Sequence, residues 1–398
     1  MSIAQAVKAS MTNKNAGVIR KMFEEGIKLK AQYGNDRVFD YSLGNPDLEP
    51  PAEVLEAVKE EALNTEKNVH GYMPNAGYPF CRKAMADKTS LEQGVSVSQD
   101  CVVMSVGAAG ALNSVFKAII NPGDEVIVPA PFFAEYRHYA SNFGGKLVEV
   151  PSKKDFSPDI EAIKATLNEK TAAVLINSPN NPTGRVYSEE DIKALADALK
   201  AHAEKSGRAP YLVLDEPYRA IVYDGKKVPS AFPLYDSSIV VTSFAKNLSL
   251  PGERIGYVCV NPACPDRDEV VQAVTFATRI LGYVNAPAFF QRVITKSWNA
   301  ECDYSLYEKR RNMLMEALDA AGIEHVVPEG AFYMWCKVPE SFGDDDMAFT
   351  DYLKKYLILA APGSGFGGKG WFRLSYCVSE DCIKNSREAF IKAMEELK

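Results

Sequence analysis

What the sequence lacks narrows it first. No run of residues is long and apolar enough to span a bilayer, so no transmembrane segment is expected. The opening stretch MSIAQAVKASMTNKNAG has neither the charged head nor the apolar centre of a secretory signal. Basic charge is not in excess: 45 Lys and Arg stand against 52 Asp and Glu, a formal net charge of −7. No nucleic-acid or membrane partner is therefore expected. Only four histidines occur, and none of the eight cysteines forms a CxxC pair, so the spacing of a structural zinc site is missing. Most of the cysteines sit in apolar stretches, such as Cys259 in YVCV, and read as reduced core residues. Together these features point to the cytoplasm. There is no internal repeat and no low-complexity segment.

What is present is an ordinary globular composition over 398 residues, enough for a large core and two domains. From about Val54 to Ile294, short apolar runs (EVIVP, KLVEV, AAVLIN, YLVLD, SIVVTS, IGYVCV) are interleaved with helical stretches such as SEEDIKALADALKAHAEK. This alternation predicts an α/β fold with a mixed, mostly parallel sheet between helices. The ends of the chain predict a smaller α+β domain built from both termini. The expected division is residues 1–50 as an arm and part of the small domain, 51–298 as the large domain, and 299–398 as the rest of the small domain.

In such folds ligands gather at the carboxyl ends of the strands. YLVLDEPY puts Asp215 at one strand end and Tyr218 just beyond; SIVVTSFAK puts Ser243 and Lys246 at another. AAVLINSPNNPTG ends in a loop with Asn177 and Asn181. VVMSVGAAGALNSVF reads as a strand, a small-residue turn (Gly107, Ala108, Ala109) and a helix. Singly, each has a plain reading: a cap, a turn former, core packing, a solvated charge. Jointly they supply an amine, a carboxylate, a phenol, an amide and a helix N-terminus on one face. Pyridoxal 5′-phosphate needs that set. It takes a lysine for a Schiff base, an anion for its pyridine nitrogen, donors for its phenolic oxygen, and a dipole-plus-arginine cup for its phosphate. At an effective dielectric near 20, opposite charges about 4 Å apart gain roughly 4 kcal/mol, or about 3 pK units, enough to keep the ring nitrogen protonated.

The chain resembles the fold-type I pyridoxal-phosphate enzymes of the class I/II aminotransferase family, the aspartate aminotransferase superfamily, over nearly its whole length. SFAKNLSLPGERIG is similar to the family's lysine signature. It implies that Lys246 holds the cofactor covalently and that Ser243 and Arg254 hold its phosphate. DEPY implies Asp215 on the pyridine nitrogen and Tyr218 on the phenolic oxygen. NNPTG implies Asn181 on that oxygen and near the substrate. GAAGAL implies backbone donors at Gly107, Ala108 and Ala109, and PFFAEY implies Phe133 stacked on the ring. WFRLS implies Arg373 on the substrate α-carboxylate, with the Gly44 backbone of SLGNPD nearby. HGYMPNAG implies that Tyr72 reaches the phosphate of a neighbouring subunit, hence a homodimer. Ala108, Ala109, Phe133 and Ala245 depart from residues found in parts of the family.

The implied activity is transfer of an amino group between an L-amino acid, of the aspartate/glutamate or aromatic/aliphatic type, and a 2-oxo acid. It runs by a ping-pong Schiff-base route with Lys246 as the proton carrier. A carbon–sulfur β-lyase on the same fold is the alternative, since the two chemistries part only after Cα deprotonation. A non-catalytic regulator module would need an added basic helix-turn-helix, which the sequence does not show. For the substrate side chain, Arg279 lies one residue out of register for a distal-carboxylate arginine, and a surface position at a helix end is favoured. Tyr136, Tyr283 and Phe23 are candidates for a pocket wall, and Ala16 to Ile19 for a segment that closes over the substrate.

Overall fold

The structure, a computed structural model, describes residues 3–12 and 18–397. Its central sheet has seven strands: β2 (Val102–Ser105), β3 (Glu125–Ala130), β4 (Lys146–Pro151), β5 (Thr171–Asn177), β6 (Tyr211–Asp215), β7 (Ser238–Ser243) and β8 (Gly256–Val260), after a short β1 (Phe39–Asp40) outside it. Their spatial order is β2-β8-β7-β6-β5-β3-β4. Every pairing is parallel except those of β8, which runs antiparallel to both β2 and β7. The sequence reads these strands as unbroken apolar runs because both faces of the sheet are covered. Val174, Ile176, Leu212, Leu214 and Val240 pack into one core. The residues between them, Ala173, Leu175, Val213, Ile239 and Val241, pack into another on the opposite face.

The covering helices carry local signals. Helix Glu189–Ser206 starts from a capping box, with Ser188 accepting from the Asp191 N–H and the Asp191 carboxylate accepting from the Ser188 N–H. It stops at Gly207, whose left-handed φ of 74° suits glycine.

The expected smaller unit contains a four-stranded antiparallel sheet. Its strands are β9 (His325–Val326), β10 (Tyr333–Lys337), β12 (Ala361–Pro362) and β13 (Trp371–Ser375), in the order β12-β13-β10-β9. A parallel pair joins the N-terminal β1 to β11 (Ile358–Leu359), so both ends of the chain build this unit. Helices Ser305–Ala321 and Glu380–Glu395 cover it. Its aromatic core also takes in Tyr218, Ile221 and Tyr223, from the loop that leaves β6. That loop therefore belongs to both units, and it brings a phenol to the place where they meet. No helix among the described residues is long and apolar enough to cross a membrane.

Candidate active site

Three neighbouring parallel strands end on one edge of the sheet. Asn177 lies opposite Asp215 in register, and Asp215 opposite Val241, two residues before the end of β7 at Ser243. One row further, Ser243, Gly256 and Ser105 align across β7, β8 and β2. A Cβ on Gly256 would lie 2.4 Å from the Thr242 carbonyl oxygen, so only glycine lets β8 pass this close.

Lys246 sits in the single-turn helix Phe244–Asn247 that follows β7. Its Nζ donates to the Gly44 carbonyl at 2.7 Å and lies 5.5 Å from the Phe332 ring and 6.0 Å from that of Tyr218. Burial pushes its pKa down to about 8, helped by the nearby Arg373 and Arg254 charges and opposed by Cys377. A neutral, nucleophilic amine is thus available near neutral pH.

Asp215 shares the strand parity of Val213 and so faces the core that holds Tyr136. The Tyr136 hydroxyl donates to Asp215 Oδ2 at 2.5 Å. The other oxygen, Oδ1, is buried with no hydrogen-bond partner among the described residues. Burial raises the Asp215 pKa to about 7, and the Tyr136 bond pulls it back. Asn177 Nδ2 donates to the Asp215 carbonyl at 2.8 Å, while its Oδ1 accepts from the Asn181 N–H at 2.7 Å. The Tyr218 hydroxyl lies 2.8 Å from that of Tyr333.

At the β2 end, helix Gly107–Ile119 begins directly at Gly107 (φ 79°), with no side-chain cap on its first turn. The expected three-residue turn is in fact a bend at Val106 alone, and Gly107, Ala108 and Ala109 already belong to the helix. The free N–H groups of this turn face a positive neighbour. Arg254 donates to the Val106 carbonyl at 3.4 Å, and a Cβ on Gly107 would lie 2.7 Å from its Nη2. Ser105 Oγ is buried there without a partner among the described residues, and Ser243 is buried with its side chain unspent on capping.

Arg373 comes from β13. Phe372 and Leu374 point into the small-unit core, so the residue between them faces the other way. Its Nη1 donates to Asn181 Oδ1 at 2.9 Å and its Nη2 to the Ser42 carbonyl at 2.7 Å. Its Nε is buried and unpartnered. The guanidinium lies between the rings of Tyr333 (4.5 Å) and Phe366 (4.7 Å).

The site residues named from the sequence thus gather at one edge. Phe133 is half-buried, edge-on to Tyr136 at 5.6 Å. Tyr72 is 92 % exposed, unlike the buried residues of the site. Arg279 is exposed at the end of helix Arg267–Ile280, its guanidinium 5.2 Å above Phe276. One expectation is corrected: Tyr136 is fully buried against Asp215 and lines no substrate pocket, because its hydroxyl is held by that carboxylate. Tyr283 is half-buried. Residues 16 and 17 and the side chains of Val18, Ile19 and Phe23 lie outside the described residues. The sequence reading missed Tyr333, Ser42 and Ser105. Only the strand-end position of Ser105 carried a signal.

Pyridoxal phosphate fits this donor set. The bare Asp215 Oδ1 suits a protonated ring nitrogen. The partnerless Ser105 hydroxyl, the uncapped helix turn and Arg254 suit a phosphate, and Lys246 supplies the amine. Comparisons agree. The profile of aminotransferase class I and II matches residues 36–390. A probable aspartate/prephenate aminotransferase of Thermus aquaticus is 35 % identical, over 88 % of this chain and 90 % of its own. The crystal structure of an amino transferase from Eubacterium rectale superposes with a TM-score of 0.95 at 40 % identity, covering 100 % of both chains. Aspartate aminotransferase from Thermus thermophilus, solved with maleate, gives 0.87 at 29 % identity over 99 % of this chain and 100 % of its own.

Two outcomes follow from the shifted groups. The rate of cofactor uptake by the apoprotein should rise with pH and level off once pH passes about 8, because the neutral fraction of the Lys246 amine saturates there. An ordinary lysine would keep accelerating beyond pH 10, near its unperturbed pKa of about 10.4. Tyr136→Phe removes the donor to Asp215 Oδ2, so its proton affinity rises. By equilibrium titration the cofactor should bind about tenfold more weakly at pH 7, a charged hydrogen bond being worth about 1.5–3 kcal/mol. The deficit should shrink at high pH, where Asp215 is ionised in either protein.

Proposed function

The chain belongs to the class I and II aminotransferases and is a pyridoxal-phosphate-dependent transaminase, and from that premise we propose that its amino donor is an acidic L-amino acid, aspartate or glutamate. Support comes from the names of the relatives and from maleate, a four-carbon dicarboxylate, in the Thermus thermophilus enzyme. A second reading, an aromatic or aliphatic donor, is favoured by the position of Arg279, which is exposed at a helix end. The family and the named relatives give the carbon–sulfur lyase no support.

In this reading each residue has a role that its placement supports. Arg373 forks the substrate α-carboxylate through donors not spent on Asn181 and Ser42. Lys246 Nζ, as a neutral amine, would take up and return the proton of the substrate Cα, acting as base and then acid. The bound cofactor supplies an electron-withdrawing ring for the charge left on Cα. Asp215 keeps that ring's nitrogen protonated; Tyr218 and Asn181 serve its phenolic oxygen. Phe133 would pack against the ring. Ser243, Arg254 and the N–H groups of Gly107, Ala108 and Ala109 would hold its phosphate. The Gly44 carbonyl marks the substrate side of Lys246. The single observation that carries these roles is Asp215 Oδ1, buried and unpaired one strand away from the strand that leads to Lys246.

The same reading divides the chain at 1–50, 51–298 and 299–398, with the seven-stranded sheet inside the middle part. It makes the enzyme a cytoplasmic homodimer. Eight free thiols suit a reducing compartment. Tyr72, at 92 % exposure, with Phe276 and Ile280 also exposed, suits an interface.

Holoenzyme mixed with a pool of amino acids, without an oxo-acid acceptor, should consume about one equivalent of aspartate or glutamate per site, a single half-reaction, and release the matching oxo acid without ammonia. Lys246→Ala should bind cofactor and consume nothing. Depletion of an aromatic or aliphatic donor would replace the proposed substrate class. Sedimentation should give a dimer; a monomer that retains cofactor would remove the role given to Tyr72.

A further inference from the structure

Tyr333 is buried at the start of β10 and touches three parts of the site. Its hydroxyl lies 2.8 Å from that of Tyr218, with the two rings edge to face at 5.6 Å. Its ring carries the Arg373 guanidinium at 4.5 Å, opposite Phe366. Gly44, whose carbonyl accepts from Lys246, closes over the same hydroxyl: a Cβ there would fall 2.1 Å from it. We infer that Tyr333 is a positioning residue whose hydroxyl directs the Tyr218 O–H toward the cofactor and whose ring holds the plane of Arg373. The inference rests on the roles given to Tyr218 and Arg373 above.

The argument is one of proton direction. Each phenol has one proton, and either can fill the bond between the two oxygens. When the Tyr218 proton points at a ligand oxygen, that bond survives only if Tyr333 donates it. Tyr218 Oη then accepts while it donates, which makes it the stronger donor. Gly44 backs the Tyr333 hydroxyl so closely that no side chain would fit between them. On the ring face, a buried cation between two aromatic faces keeps its edge free for planar contacts, here Asn181, Ser42 and a substrate carboxylate. The charged and titratable groups acting on the pair are Arg373, Cys377, Asp215 and Lys246.

The test uses holoenzyme with Tyr333→Phe, Tyr333→Met and, as a control, Tyr218→Phe. One readout is the pH titration of the bound cofactor's visible absorption, which reports the proton beside its phenolic oxygen. The other is the spectroscopically measured affinity for propionate, an unreactive carboxylate. Tyr333→Phe should move the titration midpoint upward, because a weaker Tyr218 donor leaves the phenolic oxygen more basic, and should leave propionate affinity within about twofold. Tyr333→Met, which keeps bulk but loses the ring, should show the same upward shift and weaken propionate by about threefold or more, the scale of a cation–π contact. A wild-type midpoint in Tyr333→Phe beside a shifted one in Tyr218→Phe would overturn the hydroxyl's role alone. Unshifted midpoints in both would overturn the role of Tyr218 and that of Tyr333 with it. Equal propionate affinity in the Phe and Met variants would overturn the role of the ring.

Discussion

The site depends on one carboxylate that is deliberately half-satisfied. Asp215 sits at the end of a buried strand with one oxygen bonded by Tyr136 and the other bare. A buried acceptor without a partner costs about 1–3 kcal/mol, more when charged. Burial drives its pKa to about 7, so near neutrality the cofactor-free protein holds it as a mixture of acid and anion. A protonated pyridine nitrogen removes that penalty at once, since the pair then attract in a water-poor setting. Folding bears a cost at Asp215 that cofactor binding, in the proposed role, would relieve.

Lys246 shows the same logic with the sign reversed. Its amine is kept near a pKa of about 8 by desolvation and by the two arginines, and no carboxylate is paired with it among the described residues. A buried lysine with an acidic partner would remain charged and inert as a nucleophile. Its partner is instead a neutral carbonyl, that of Gly44, in the segment where the N-terminal arm crosses from the small unit. The acid of this site is on β6 and the amine follows β7, adjacent strands with the same direction. Their separation is therefore set by the sheet itself, the stiffest element in the chain.

Much of this was legible in the sequence, and the reason is the sheet. A strand buried on both faces is a short apolar run, and its end is where a polar residue first becomes tolerable. Asp215, Ser243 and Lys246 could be placed by that rule alone, and the helix after β2 by its small residues. Tyr136 was legible as an aromatic but not as a partner of Asp215. That contact joins residues 79 apart and depends on the parity of β6 and the tilt of a six-residue helix. Tyr333 and Ser42 were illegible for a similar reason. One meets Tyr218 across a 115-residue separation, and the other contributes only a backbone carbonyl, which has no sequence signature at all. The start of helix Gly107–Ile119 was misjudged by a few residues because alanine fits the last residue of a turn and the first of a helix equally well.

In the role proposed for it, Arg373 is the counterpart of Asp215 and gives a reason for a substrate to bring a carboxylate. It is buried, and its protein partners are an amide oxygen, a backbone carbonyl and two aromatic faces. None of these is an anion. Desolvation lowers its pKa, yet a guanidinium stays charged at any physiological pH. The neutral acceptors fix its orientation without neutralising it, and its bare Nε keeps a donor in reserve. Had the fold paired Arg373 with an aspartate, the arginine would be more comfortable and the site would have no electrostatic preference for an amino acid over an amine. On the proposed role, the uncompensated charge would make the α-carboxylate part of the completed site. A carboxylate-free amine would leave a buried cation unpaired, and a discrimination of that kind is far steeper than any gained from added apolar contact.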